Sequence, residues 1–285
     1  MSLGIMIKGS EGMVLAADSR VTLFNPVNVG TPNVTQTIVI PATFDNATKI
    51  LKVAEQEYVG AVTYGLGAFF TTHGPRTMQS FLPEFEETLK RDKTKRLSVS
   101  DFANRMSSFY LERWNAVVNR PPNLGEEITF LVAGYDEGAA YGRGFSFAIP
   151  NQPAPLELNA APGAFGITWG GQHDLAFRIL YGFDPGVLDF LRAEFNLQPL
   201  QLEQLKAKME ARFAAGIPYQ FLPLQDCVDL AVFLIEDTIR FQQYRTSVVR
   251  GVGGPVEVAT VTRDGKFQFI SRKQVVAPHA SRKGV

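Results

Sequence analysis

The stretch Ser2-Leu3-Gly4-Ile5-Met6-Ile7-Lys8-Gly9-Ser10-Glu11-Gly12-Met13-Val14-Leu15-Ala16-Ala17-Asp18-Ser19-Arg20-Val21-Thr22 consists of two apolar runs around a polar turn. Leu3 to Ile7 is the first run, Met13 to Ala17 the second, and Gly9-Ser10-Glu11-Gly12 separates them. Two short strands joined by a glycine-flanked turn predict a β-hairpin. In such a hairpin Ser2 and Asp18 face each other across its open end. A small residue at position 2 favours removal of Met1, which would make Ser2 a free N-terminus. That residue then holds a hydroxyl nucleophile and an amine base together. An α-amino group titrates near ~8, low enough to accept the hydroxyl proton at neutral pH, and no histidine is needed.

Beyond the hairpin, residues 23–36 are rich in Asn, Pro, Gly and Thr and read as a loop, with Thr37-Ile38-Val39-Ile40 as a short strand inside an insertion. Lys49 to Val53 and Tyr58 to Tyr64 read as another strand pair, ending at Gly65-Leu66-Gly67. Phe102, Met106, Phe109, Tyr110 and Val117 recur at helical spacing, with Ser98 or Ser100 as a cap. The basic run from Lys90 to Arg96 is a solvated connection between this helix and the one before it, because Asp92, Glu86 and Glu87 offset its charge. Strands return at residues 128–133 and 145–149. Helical patterns run from His173 to Phe213, interrupted at Gly182-Phe183-Asp184-Pro185. An apolar helix follows from Leu224 to Gln243, and Val256 to Thr262 with Phe267 to Ile270 forms a closing hairpin. Blocks of strands separated by blocks of helices predict antiparallel sheets with helices packed outside them. There is no linker, repeat or low-complexity segment, so residues 1–285 read as one domain.

Composition narrows the function. Lys plus Arg is 28 and Asp plus Glu is 28, so the basic excess of a nucleic-acid binder is missing. No run approaches the ~20 apolar residues of a membrane helix, and the N-terminal residues do not read as a secretory signal. A cytoplasmic protein is expected. The single cysteine, Cys227, excludes an intrachain disulfide and a cysteine-rich zinc site. The three histidines, His73, His173 and His279, show no metal-ligand spacing and read as structural or surface residues. The glycosylation-type patterns at Asn33 and Asn46 read as chance. Phosphate-loop, nucleophile-elbow and zinc-helix motifs are all missing, and no cofactor or metal is expected.

Residues 2–22 resemble, without a gap, the opening of proteasome β-type subunits. Those begin with the nucleophile, run through a strand, turn at a Gly-Lys-Asp-Gly-like sequence and return through Val-Val-Leu-Ala-Ala-Asp-x-Arg. The resemblance places Ser2 at the family's nucleophilic threonine and Asp18 at its acid. Asn46-Ala47-Thr48-Lys49-Ile50 resembles the segment that carries the family's catalytic lysine, which makes Lys49 the third candidate. A lysine ammonium beside the nucleophile lowers the proton affinity of the neighbouring amine. Val59 to Gly67 resembles the strand and glycine turn that supply the oxyanion-hole amide, near Tyr64-Gly65. Residues 131–136 and 256–265 resemble later family strands, so the likeness covers about two thirds of the chain.

The resemblance implies an α+β fold, a four-layer αββα sandwich of two antiparallel sheets, with insertions at 23–45 and 185–218. It implies a ring-like homo-oligomer acting on peptide or unfolded-protein substrates, with an ATPase unfoldase as a further partner. The chain also departs from the family. Serine replaces threonine. Thr168-Trp169-Gly170-Gly171 stands where a supporting serine is usual. Val249 and Val252 stand about where an acid and a serine are expected, with Thr246 or Ser247 as substitutes only if the loop shifts. Three readings follow: a peptidase with an N-terminal serine nucleophile, a non-catalytic ring subunit that keeps the fold for assembly, and an N-terminal-serine amidase acting on a small molecule.

Overall fold

The computed structural model describes residues 2–31, 34–71, 74–92, 95–117, 127–161, 163–246 and 249–275. Met1, Asn33, His73, Ser247 and His279 lie outside the described residues. The architecture is mixed α and β, with two five-stranded sheets, two two-stranded ribbons, the smaller made of β7 (Ala68–Thr71) and β8 (Gly74–Thr77), and six helices among those residues. The first sheet contains β1 (Leu3–Lys8), β2 (Met13–Ala17), β12 (Gly166–Gly171), β13 (Glu257–Thr262) and β14 (Lys266–Ser271), in the order β12-β1-β2-β13-β14. The second contains β5 (Ile50–Leu51), β6 (Val59–Gly65), β9 (Ile128–Gly134), β10 (Arg143–Ile149) and β11 (Gln152–Leu158), in the order β11-β10-β9-β6-β5. Every neighbouring pair in both sheets is antiparallel.

The opening hairpin forms as its sequence predicts, and every residue of β1 and β2 is buried. Its side chains alternate between two cores, as the two-residue period of a strand requires. Leu3, Ile5, Ile7, Val14 and Ala16 pack on one face with Ala176 and Leu180 of α3 (Asp174–Tyr181) and with Val228, Ala231 and Ile235 of α6 (Leu224–Gln242). Met6, Met13, Leu15 and Ala17 pack on the other face with Val62, Leu131, Ala133 and Phe267. That second core joins the two sheets. A third core, rich in aromatic side chains, lies between the second sheet and the helices α1 (Met78–Arg91) and α2 (Val99–Val117). There Phe130 stacks on Phe147 at 4.7 Å, and Tyr110 donates its hydroxyl proton to Met78 O at 2.8 Å.

The two sheets approach closely where glycine allows it. A Cβ placed on Gly60 of β6 would lie 2.2 Å from the Phe267 ring on β14. Gly60→Ala is therefore expected to lower unfolding stability by ~1–3 kcal/mol through overpacking. Urea denaturation would measure it, and an unchanged midpoint would show that Phe267 moves aside freely.

Several segments differ from the sequence reading. Residues 23–31 and 34–36 belong to strands, not to a loop: β3 (Val21–Thr31) and β4 (Val34–Phe44) pair along their whole length as a separate two-stranded ribbon. Pro26 and Pro41 obscure this in the sequence, yet a ribbon with two free edges tolerates proline where a central strand does not. The strand expected at Lys49 to Val53 shortens to Ile50–Leu51. Strands β11 and β12 carried no clear signal, being proline-bearing and glycine-rich respectively, and each lies at a sheet edge. Residues 185–218 contain α4 (Gly186–Phe195) and α5 (Pro199–Phe213), and neither helix buries a residue. Among the described residues, no helix is long and apolar enough to cross a membrane.

Candidate functional site

Asp18 follows directly after β2, and its carboxylate is the hub of the site. Oδ1 accepts from the Leu3 amide at 2.9 Å and from Lys49 Nζ at 2.6 Å. Oδ2 accepts from the Arg20 amide at 3.1 Å and from the Gly253 amide at 2.9 Å. Four donors fill the four lone-pair positions of a carboxylate that is 1% exposed. The bond to Leu3 closes the hairpin end across from Asp18, so the acid fixes the peptide unit that follows Ser2.

Lys49 reaches Asp18 from the segment leading into β5. Its carbonyl accepts from the Thr63 amide at 2.9 Å, which ties residue 49 to β6 one residue before Tyr64. The ammonium is almost wholly enclosed, and burial holds its pKa below the ordinary lysine value of 10.5 despite the opposing pull of Asp18. This has a consequence for stability. Below the folded pKa both states are protonated, and the full cost of enclosing the cation is present. Between the folded pKa and 10.5 the unfolded chain binds more protons, so stability rises with pH. Denaturant melts taken from neutral pH up to 10.5 are expected to show this upward slope in wild type and its loss in Lys49→Met. Equal slopes in the two proteins would show that Lys49 titrates alike in both states.

Ser2 is 3% exposed, and its hydroxyl accepts from the Gly65 amide at 3.3 Å. Gly65 has φ +99°, and a Cβ there would lie 2.4 Å from Glu127 O. Only glycine fits that turn, and the turn is what aims the amide at Ser2. On the other side, the Ser2 carbonyl accepts from the Gln172 amide at 2.7 Å. Gly171, at φ +91°, lets the chain pass so close that a Cβ would be 1.8 Å from that carbonyl oxygen. Ser2, Thr22, Lys49, Tyr64, Gly65 and Met78 line one cleft of about 410 Å³, its open mouth included. Arg20 forms part of the wall and donates through Nη2 to Asp45 at 2.7 Å, which holds the Asp45 carboxyl below the usual carboxylate range.

No model of a known protein family matches this chain, and no curated protein matches its sequence.

The structure brings the three sequence candidates into one place. Asp18 bonds Lys49 directly and bonds the amide next to Ser2, while Ser2 and Lys49 share the cleft. The loop of residues 249–253, where the sequence reading found no acid or serine to support the site, offers backbone instead of side chains. Val252 is buried in the core beneath β1 and α6, Thr246 is exposed, and the Gly253 amide is what reaches Asp18. That loop is held by glutamines: the Gly251 amide donates to Gln172 Oε1 and the Val252 amide to Gln242 Oε1. Thr168 stands opposite Met6 in the β1–β12 pairing, three register positions from Gly171 opposite Leu3. Among the histidines, His173 approaches Gly171 O through Nδ1 at 2.8 Å.

Sequence reasoning missed Gly253, whose contribution is an amide and leaves no side-chain signature. It also missed Glu257 and Lys273. Glu257 was visible as a charged residue inside an otherwise apolar strand pattern, and that was the available signal.

Proposed function

We propose that this protein is a peptidase with an N-terminal serine nucleophile, of the proteasome β-subunit type. One observation carries the reading: the buried Asp18 carboxylate binds both Lys49 and the amide beside Ser2, whose hydroxyl meets the Gly65 amide. With Met1 removed, the Ser2 amine takes the hydroxyl proton as Oγ bonds to the scissile carbonyl carbon. The carbonyl oxygen gains the negative charge, and the Gly65 amide is the donor on hand to stabilise it. The amine then passes its proton to the leaving nitrogen as the C–N bond breaks. Water hydrolyses the resulting ester by the reverse sequence of proton transfers. The Lys49 ammonium keeps the amine deprotonated at neutral pH by like-charge repulsion, and Asp18 holds Lys49 in place.

On this reading the two sheets, with α1–α2 outside one and α3–α6 outside the other, form a four-layer αββα sandwich. The chain assembles with copies of itself into a ring, as closed symmetry is the usual outcome of self-association. The deciding experiment pairs intact mass with a panel of fluorogenic peptides. Loss of Met1 together with peptide hydrolysis supports the proposal. Retention of Met1 blocks the amine and overturns it. The absence of a serine and an acid at Val252 and Val249 favours a non-catalytic ring subunit in that event.

A further inference from the structure

Lys273 lies two residues beyond β14, at the edge of the first sheet, yet its side chain turns inward and is 12% exposed. An ammonium has three N–H donors, and here two hydrogen bonds to neutral oxygens are joined by an ion pair with a carboxylate. Lys273 Nζ reaches Ala47 O at 2.8 Å, Ser19 Oγ at 3.3 Å and Glu257 Oε1 at 2.9 Å. Glu257 is 1% exposed and pairs in register with Ala17, the residue before Asp18. The Ala47 amide in turn donates to Ser19 O at 2.9 Å. Lys273 therefore binds the segment that leads to Lys49 and the segment that follows Asp18, at the point where those two segments touch each other.

A buried carboxylate and a buried ammonium are costly to desolvate, and hydrophobic residues in their place are often no less stable. Such a pair has a stability rationale only in part. The groups facing Lys49 are Asp18 from the end of β2, Arg20 with its partner Asp45 from the start of the ribbon, and Lys273 with Glu257 from the sheet edge. We propose that Lys273, anchored by Glu257, is a positioning residue for Lys49: it clamps residues 45–49 against residues 17–20 and adds a second enclosed ammonium to the same region. Its consequence for catalysis rests on Lys49 acting at Ser2 as proposed above. Both lysine charges oppose each other, and Lys273 contributes to holding the proton of Lys49 less tightly than Asp18 alone would allow.

The test follows the titration of Lys49 directly, so that it does not depend on hydrolysis. Lysine side chains labelled with 13C at Cε are titrated by NMR, with the Lys49 resonance assigned by its loss in Lys49→Met. In Lys273→Met, Lys49 is expected to titrate at higher pH than in wild type. In Lys273→Arg, which keeps the charge, it is expected to stay close to wild type. If Lys273→Met fails to fold because Glu257 is left unpaired, Lys273→Met combined with Glu257→Gln leaves neither charge of that pair behind, and an upward shift is again expected. An unchanged Lys49 titration in the folded variant overturns the proposal, because a merely structural clamp would not move it. Wild-type peptide hydrolysis is measured alongside. If wild type cleaves nothing, the peptidase reading fails, and the NMR result still decides whether Lys273 governs Lys49.

Discussion

Ser2→Ala is expected to abolish peptide hydrolysis, by ~10⁴-fold or more, while leaving the fold intact. Members of a cooperating catalytic set are not additive, and losing the nucleophile alone removes nearly all that the set provides. The variant still presents a small residue at position 2, so Met1 removal and the free amine are preserved. Structurally the change is slight. Among the described residues, the hydrogen bond that is lost is the hydroxyl's acceptance from the Gly65 amide at 3.3 Å, a long bond facing a cleft that water can enter. The net cost of one such bond is ~1 kcal/mol. Parallel measurement of fluorogenic peptide hydrolysis and thermal unfolding separates the two effects. Equal hydrolysis by Ser2→Ala and wild type would remove Ser2 from the chemistry and the peptidase reading with it. Ser2→Thr, by contrast, keeps the hydroxyl and is expected to retain activity.

Asp18→Ala is expected to have the largest effect on stability of any substitution at the site, ~3–5 kcal/mol, with activity lost as well. Removing one partner of a buried ion pair leaves the other charge enclosed and uncompensated. Here Lys49 would be that charge, and the Leu3, Arg20 and Gly253 amides would lose their acceptor together with it. Unpaired buried amides add to the cost. Lys49→Met leaves Asp18 with its three amide donors, so it should cost less stability while still impairing hydrolysis. Combining the two substitutions should recover part of the loss, because the stranded ammonium is gone. Urea denaturation of the three variants reads this directly, and a loss below ~1 kcal/mol for Asp18→Ala would show that water reaches the site and solvates Lys49.

The strands that centre the site were readable because they are apolar throughout. Leu3 to Ile7 and Met13 to Ala17 carry no polar side chain, and the turn between them is glycine-flanked. Ser2 was readable from the chemistry of a serine at a free N-terminus, whereas Asp18 and Lys49 were readable only through the resemblance of residues 2–22 and 46–50 to proteasome β-type subunits. The remainder depended on contacts distant in sequence. The ribbon of β3 and β4 holds its shape by backbone pairing that Pro26 and Pro41 do not advertise. The Gly65 amide is aimed by a left-handed turn braced on Glu127, a distant residue that local pattern does not reveal. Gly253 meets Asp18 across 235 positions through its backbone alone. Lys273 looks, in sequence, like one of several basic residues in a polar tail.

The alternation of side chains along β1 and β2 has a consequence for how the molecule comes apart. The two strands supply one wall to the core beneath α3 and α6 and the opposite wall to the core between the sheets. Neither core can melt while the other keeps its lining, so both belong to one cooperative unit. The amides of this hairpin exchange with solvent only when the whole unit opens. The backbone that sets Asp18 opposite Leu3, the residue after Ser2, is thereby among the last parts of the protein to yield, while α4 and α5, which contain no buried residue, are free to open early.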